Sequence, residues 1–271
     1  MYRLAVCNEL WGDAPIEEVF DRAASLGYEG VEIAPFTLAE SVEQISAERR
    51  RAIRRAAEVC GVQIVGLHWL FVSPAGLHLT TPDESVWQRS VEYLKALVGF
   101  CGDLGGAAMV VGSPKQRNVA PGQDLEDARE RACDALRQAG HVAAERGVTI
   151  CFEALRPGET NFVNTAEQAV HLVGRVDHPN VGIMLDVKAM SAMPDGILGT
   201  IRRFGRVARH VHANDPSGRG PGMNGIDFGP IMKALQESGF DGWVSVEPFD
   251  YRPDADTVAR TAIETLRKAM E

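Results

Sequence analysis

The sequence predicts an α/β fold, a single (β/α)8 or TIM barrel occupying residues 1–271, and three observations predict it. Eight short β-branched or apolar runs alternate with eight longer stretches whose apolar residues recur at spacings of three and four. The first pattern suits strands and the second suits amphipathic helices. Glycines close six of the longer stretches just before the next run, where a helix C-cap favours a residue free to turn left-handed. The length also fits, since eight units in 271 residues average about 34 each, near the roughly 30 that one strand–helix unit needs.

In chain order, the strand candidate at 4–7 leads to a helix at 16–26 that ends at Gly27, and the one at 30–33 leads to a helix at 47–60 that ends at Gly61. Strand 63–68 is followed by helix 85–104 and Gly105, and strand 108–111 by helix 125–146 and Gly147. Strand 149–153 precedes helix 166–176, and strand 181–186 precedes helix 197–204 and Gly205. Strand 207–212 leads to helix 230–238 and Gly239, and strand 243–247 to helix 256–270. No Pro/Ser-rich linker divides the chain. A doubly wound open sheet is the rival, but Cys7-Asn8-Glu9-Leu10-Trp11-Gly12 lacks the glycine-rich turn that cradles a pyrophosphate.

The 28 Lys+Arg against 37 Asp+Glu leave a formal charge of -9, which works against binding a phosphate backbone, so no nucleic-acid partner is expected. No apolar run approaches the roughly 18 residues of a membrane helix, and the N-terminus turns polar too soon for a signal peptide. A cytoplasmic protein acting on a small molecule is the expectation. The five cysteines are dispersed, with no C-x-x-C pair, and read as reduced, mostly buried thiols.

The most irregular segments, 69–82, 112–123, 154–164 and 213–229, all follow strand candidates and so belong to the barrel end where catalytic groups collect. Four consecutive strand candidates end on Glu153, Asp186, His212 and Glu247. Three carboxylates brought together in a low dielectric repel one another, and a divalent cation is the natural compensating charge. Oxygen ligands with one nitrogen suit Mn(II), Mg(II) or Co(II), manganese first.

These residues, with Gly-Tyr-Glu-Gly-Val-Glu-Ile at 27–33, Phe-Glu-Ala-Leu at 152–155, Met-Leu-Asp-Val at 184–187, His-Val-His-Ala-Asn-Asp at 210–215 and Trp-Val-Ser-Val-Glu-Pro at 243–248, carry a resemblance. The chain resembles the xylose isomerase-like barrels grouped as sugar phosphate isomerases/epimerases, which include ketose 3-epimerases, hydroxypyruvate isomerases, inosose dehydratases and apurinic endonucleases. The resemblance implies that Glu153, Asp186, His212 and Glu247 bind one divalent cation and that Glu153 and Glu247 double as an acid/base pair. It implies a small sugar, sugar phosphate or keto-polyol as substrate, and a homodimer or homotetramer. The chemistry is coherent: a cation chelated by a carbonyl and the neighbouring hydroxyl oxygen stabilises the ene-diolate left when the carbon between them loses a proton. Carboxylates on opposite faces of that plane epimerise the carbon, and proton return at the neighbouring carbon isomerises the sugar. Followed by β-elimination, the same abstraction makes a lyase acting on a keto-cyclitol or a 3-keto-glycoside. A sugar-binding subunit with a structural metal is the non-catalytic alternative.

Further candidates surround that set. Glu159 lies six residues after Glu153, the spacing of a substrate-binding carboxylate in ketose epimerases. His68 ends its strand where it can meet a sugar hydroxyl, and Trp11 and Trp69 follow the first and third strands as candidate walls for the apolar face of a sugar. Where the epimerases have a histidine three residues after the metal-binding Asp, this chain has Ala189, with Lys188 one position earlier as a ligand for a substrate oxygen, carboxylate or phosphate, or as a base. Arg219 sits in the glycine-rich loop 218–225, which reads as a phosphate cradle or, by slight preference, a lid over a neutral sugar. Lys115, Arg117, Arg156 and Arg252 are further cations whose direction the sequence leaves open. Asp227-Phe228-Gly229 stands where the endonuclease branch has Asp-x-His, which leaves that branch's third metal site incomplete.

Overall fold

The computed structural model describes residues 2–271. Eight parallel strands close on themselves in sequence order. They are β1 (Arg3–Cys7), β2 (Gly30–Ile33), β3 (Gln63–Leu67), β4 (Ala108–Val111), β5 (Thr149–Glu153), β6 (Val181–Asp186), β7 (Ala208–Ala213) and β8 (Trp243–Val246). The pairs Arg3↔Trp243 and Leu4↔Val244 shut the barrel. Around it lie α1 (Ile16–Leu26), α2 (Ala47–Cys60), α3 (Glu84–Leu104), α4 (Leu125–Arg146), α5 (Ala166–Val176), α6 (Val187–Met190), α7 (Gly196–Phe204), α8 (Phe228–Ser238) and α9 (Ala255–Met270). The predicted barrel is the observed one.

The strands are buried on both faces, β6 along its whole length, which is why they read as continuous apolar runs. Their outward side chains pack against the helices, while Ala108, Val110, Cys151 and Met184 form a smaller cluster of their own. Close approach between strands has a sequence cause at Gly66, where a Cβ would stand 1.7 Å from the Ala108 carbonyl oxygen. Helix starts are fixed by side chains that accept from the first free backbone N–H groups: Ser46, Asp83, Asp124, Asp227 and Asp254, and Thr165 with Gln168 in a reciprocal box. Each such cap stabilises its helix by about 1 kcal/mol.

Five of the six glycine caps have the expected left-handed backbone: Gly27, Gly61, Gly105, Gly147 and Gly239. Gly205 does not. Its φ is -56°, because α7 runs straight into a 3-10 turn over Gly205–Val207, and β7 therefore starts at Ala208 rather than at 207. His68 and Glu247 each lie one residue beyond their strands. Among the described residues, no helix is long and apolar enough to cross a membrane.

Candidate metal centre

The barrel's parallel register brings the four strand-end residues to one place. Glu153 and Asp186 are the last residues of β5 and β6, and Asp186 pairs in register with His212 on β7. One ligand atom from each of Glu153, Asp186 and His212 lies within 4.8 Å of the other two. Glu247 completes the group, its Oε2 3.0 Å from His212 Nδ1. All four are buried.

The charges in this group are unbalanced. Burial, with the charges of Asp186 and Glu247, pushes the Glu153 carboxyl up to about 8. Asp186 is raised by burial and by Glu247. Burial disfavours the charged form of His212, but the adjacent Glu247 and Glu32 carboxylates outweigh it and hold the imidazole well above its ordinary value.

The donor set fits a divalent cation. His212 Nε2 faces Glu32 Oε1 at 3.3 Å, while His212 Nδ1 is buried without an aligned hydrogen bond. With the proton on Nε2, Nδ1 presents its lone pair toward the carboxylates, the arrangement of a metal-bound histidine oriented by an acid behind it. Asp186 is held on both oxygens: Oδ1 accepts from the Ala189 N–H at 2.6 Å and Oδ2 from the Asn214 amide at 2.7 Å. Asn214 also donates to the Glu247 carbonyl and accepts from the Lys188 N–H, tying together the ends of β6, β7 and β8. Cys7 comes near two other acid–histidine groups, Glu9 with His68 and Glu32 with His212. Burial and the surrounding carboxylates push its thiol well up, so the thiolate a metal needs is disfavoured there. Glu32 and Glu9 already pair with histidines, Glu32 with His210 at 2.8 Å and Glu9 with His68 at 2.9 Å.

Above the cluster opens a small cavity of about 40 Å³. His68, Trp69, Glu153, Glu159, Asp186, Lys188 and Glu247 line it, joined by Phe249, which stacks edge-on against Trp69. Lys188 leaves β6 on α6, a turn absent from the sequence reading, and donates to Glu159 Oε1 at 2.6 Å. Trp11 and Arg219 are not brought to this lining. The Trp11 indole donates to Asp256 Oδ1 at 2.7 Å beside the start of α9. The Arg219 guanidinium is spent on the Met223 and Arg252 carbonyls, and the start of its loop is tied down where Phe249 N–H donates to the Gly218 carbonyl. Lys115 is exposed and Arg252 pairs outside the cavity with Asp250. Arg156 supports Glu159 from the side, and Arg117 is buried beneath Glu153. A larger groove between α4 and α5, outside the barrel, holds none of the four clustered residues.

Residues 20–269 match the family model described as xylose isomerase-like TIM barrel. The chain belongs to that family. Among xylose isomerase-like relatives, D-psicose 3-epimerase from Ruminiclostridium cellulolyticum is 29% identical over 88% of this chain and 79% of its own. Fructoselysine 3-epimerase from Shigella flexneri is 22% identical over 93% and 92%. The same fold is seen in D-psicose 3-epimerase with D-tagatose from Clostridium cellulolyticum H10, at TM-score 0.87, 23% identity and 99% coverage of both chains. It recurs in 3-keto-D-glucoside 4-epimerase from E. coli at TM-score 0.86 and 19% identity, over 99% of this chain and 100% of the other.

The family reading of the strand ends left three groups aside. Glu32, Glu9 and Asn214 are buried and bonded to the site, and only Glu32 and Asn214 fall inside motifs the sequence picks out.

Proposed function

We propose that this chain is a divalent-metal-dependent epimerase or isomerase of a small sugar or keto-polyol, with Glu153 and Glu247 as its acid/base pair and Mn(II) the preferred ion over Mg(II) or Co(II). The observation that carries this reading is the convergence of three buried carboxylates and one imidazole at the C-terminal ends of β5 to β8, the carboxylates lining the cavity there. The 3-epimerases among its relatives support the reaction class.

Glu153, Asp186, His212 and Glu247 would hold the cation. When bound, it supplies Lewis-acid stabilisation of the negative charge that develops on a substrate carbonyl oxygen. Glu153 and Glu247 come from β5 and from the residue after β8, flanking the Asp186–His212 pair on β6 and β7. A ketose held between them can lose the proton of its tetrahedral carbon to one carboxylate, and the planar intermediate left behind can take up a proton from the other on the opposite face. Glu159 and Lys188 present an acceptor and a donor to sugar hydroxyls, His68 another polar contact, and Trp69 with Phe249 an apolar wall.

The test is NMR of D-psicose, D-tagatose and D-fructose incubated with the Mn(II)-loaded protein in deuterated water. Epimerisation gives a mass-conserved product with solvent deuterium on one carbon, whereas elimination of water would assign a lyase instead. Glu153→Gln and Glu247→Gln are expected to lower kcat by about 10²–10⁴-fold. Full turnover in Glu247→Gln, or in chelated protein, would reject the proposal.

A further inference from the structure

The connection after β4 contains a non-glycine residue in a left-handed backbone: Ser113 has φ of 33°. Such a conformation costs of order 1–3 kcal/mol and persists where surrounding structure enforces it. Here it leads into a 3-10 turn, Pro114–Arg117, that returns Arg117 into the barrel wall. The Arg117 side chain is 1% exposed. Its Nη1 donates to the Glu153 carbonyl at 2.6 Å and to the Val111 carbonyl at 3.3 Å, and its guanidinium lies 4.8 Å over the Phe152 ring. Nε and Nη2 are buried without partners.

Burying a cation this far costs several kcal/mol unless opposite charge compensates it. A backbone carbonyl needs only a donor; the nearby carboxyl groups of Glu153 and Glu159 offset part of the cost of burying the charge, while burial still holds the guanidinium below its ordinary range. Glu153 is also shaped from the other side, since a Cβ on Gly112 would stand 2.2 Å from Glu153 Oε2.

We infer that Arg117 is the positioning residue for Glu153: it pins the carbonyl at the end of β5, lends that end a positive charge, and so sets where the carboxylate stands in the cavity. The catalytic consequence rests on the proposed function; the placement does not.

The test compares Arg117→Met and Arg117→Lys in the full chain. In crystal structures Arg117→Met should shift the Glu153 carboxylate by about 1 Å or more, beyond the roughly 0.5 Å a catalytic constellation tolerates, with the barrel otherwise superimposable. With D-psicose, kcat should fall about 10–100-fold while KM stays within about twofold, Mn(II) binding followed by electron paramagnetic resonance should weaken, and Arg117→Lys should recover part of each loss. An unmoved Glu153, or a loss of kcat that merely follows a loss of folded protein, overturns the inference. If wild-type protein neither binds Mn(II) nor exchanges ketose protons, the proposed function fails, and the position of Glu153 in the variant still decides the role of Arg117. Should Arg117→Met not fold, the same displacement, smaller, is expected in Arg117→Lys, and its absence counts against the inference.

Discussion

Lys188 Nζ stands 2.6 Å from Glu159 Oε1 and 4.1 Å from the centre of the Phe249 ring, so an ion pair roofed by an aromatic forms one wall of the cavity. Burial alone would raise the Glu159 carboxyl, but the Lys188 hydrogen bond and charge, helped by Arg156, hold it below the ordinary range. A donor and an ionised acceptor side by side suit a hydroxyl, which can accept from one and donate to the other. A phosphate in the same place would have to displace Glu159.

Lys188→Met is therefore expected to raise KM for a neutral ketose about tenfold, equivalent to about 1.4 kcal/mol, with kcat changed less than threefold. Steady-state kinetics on an active ketose decide it. A fall in kcat at constant KM would instead put Lys188 on the reacting atoms.

Glu32 sits behind the candidate metal-ligand cluster at 0% exposure, accepting from His210 at 2.8 Å and facing His212 Nε2 at 3.3 Å. Burial pushes its pKa up, yet the two histidines outweigh that and hold it well below the carboxylate range, so it stays a charged acceptor. Glu32→Gln keeps the shape and removes the charge, leaving His212 free to turn. Mn(II) affinity measured by calorimetry is expected to fall about 10–100-fold, with secondary structure by circular dichroism unchanged.

Metal removal should make stability depend on pH in a defined direction. Glu153 titrates near 8 in the metal-free protein, above its unfolded value of 4.5. Between those values the folded state holds a proton that the unfolded state has released, so this group's contribution falls as pH rises from about 5 to about 8. His68 acts in the same sense: burial opposes its charge, but Glu9, joined by Glu32 and Glu247, outweighs burial and raises it from 6.5 to about 9. Its stabilisation is present below 6.5 and is lost as pH rises through about 9. The Tm of chelated protein is expected to fall between pH 6 and pH 9, and saturating Mn(II) to raise Tm most at the alkaline end. A Tm of the chelated protein that is flat or rising over that interval, by calorimetry, would contradict this.

The barrel and the four strand-end residues were legible because both rest on local signals: apolar runs of fixed period, and polar side chains placed where those runs stop. Glu32 was not, because a glutamate inside Gly-Val-Glu-Ile reads as one polar member of an alternating strand. Only barrel closure turns it toward His210 and His212, almost 180 residues away. Trp11 shows the same limit in reverse. Its place after β1 puts it near the mouth, but which way the ring turns depends on Asp256, on the last helix. Arg219 likewise sits in a loop of the right composition, and its Nη1 and Nη2 donate to carbonyls that chain position alone does not predict.

Gly112 allows a sharper separation of stability from chemistry. The atom its Cβ would strike is Glu153 Oε2, at 2.2 Å, and this is the free end of a side chain rather than backbone. The fold can accept a methyl group at 112 by letting that carboxylate swing aside, so Gly112→Ala should change Tm by only a few degrees, on the order of 1 kcal/mol. The carboxylate has no such freedom in catalysis, where a misplacement of about 1 Å costs on the order of 10²-fold. The expected result is a folded protein whose kcat falls at least tenfold and whose proton exchange at the substrate carbon slows in parallel, measured by NMR in deuterated water. An alanine variant with wild-type exchange would mean that Glu153 works from a position other than the one Gly112 leaves open for it.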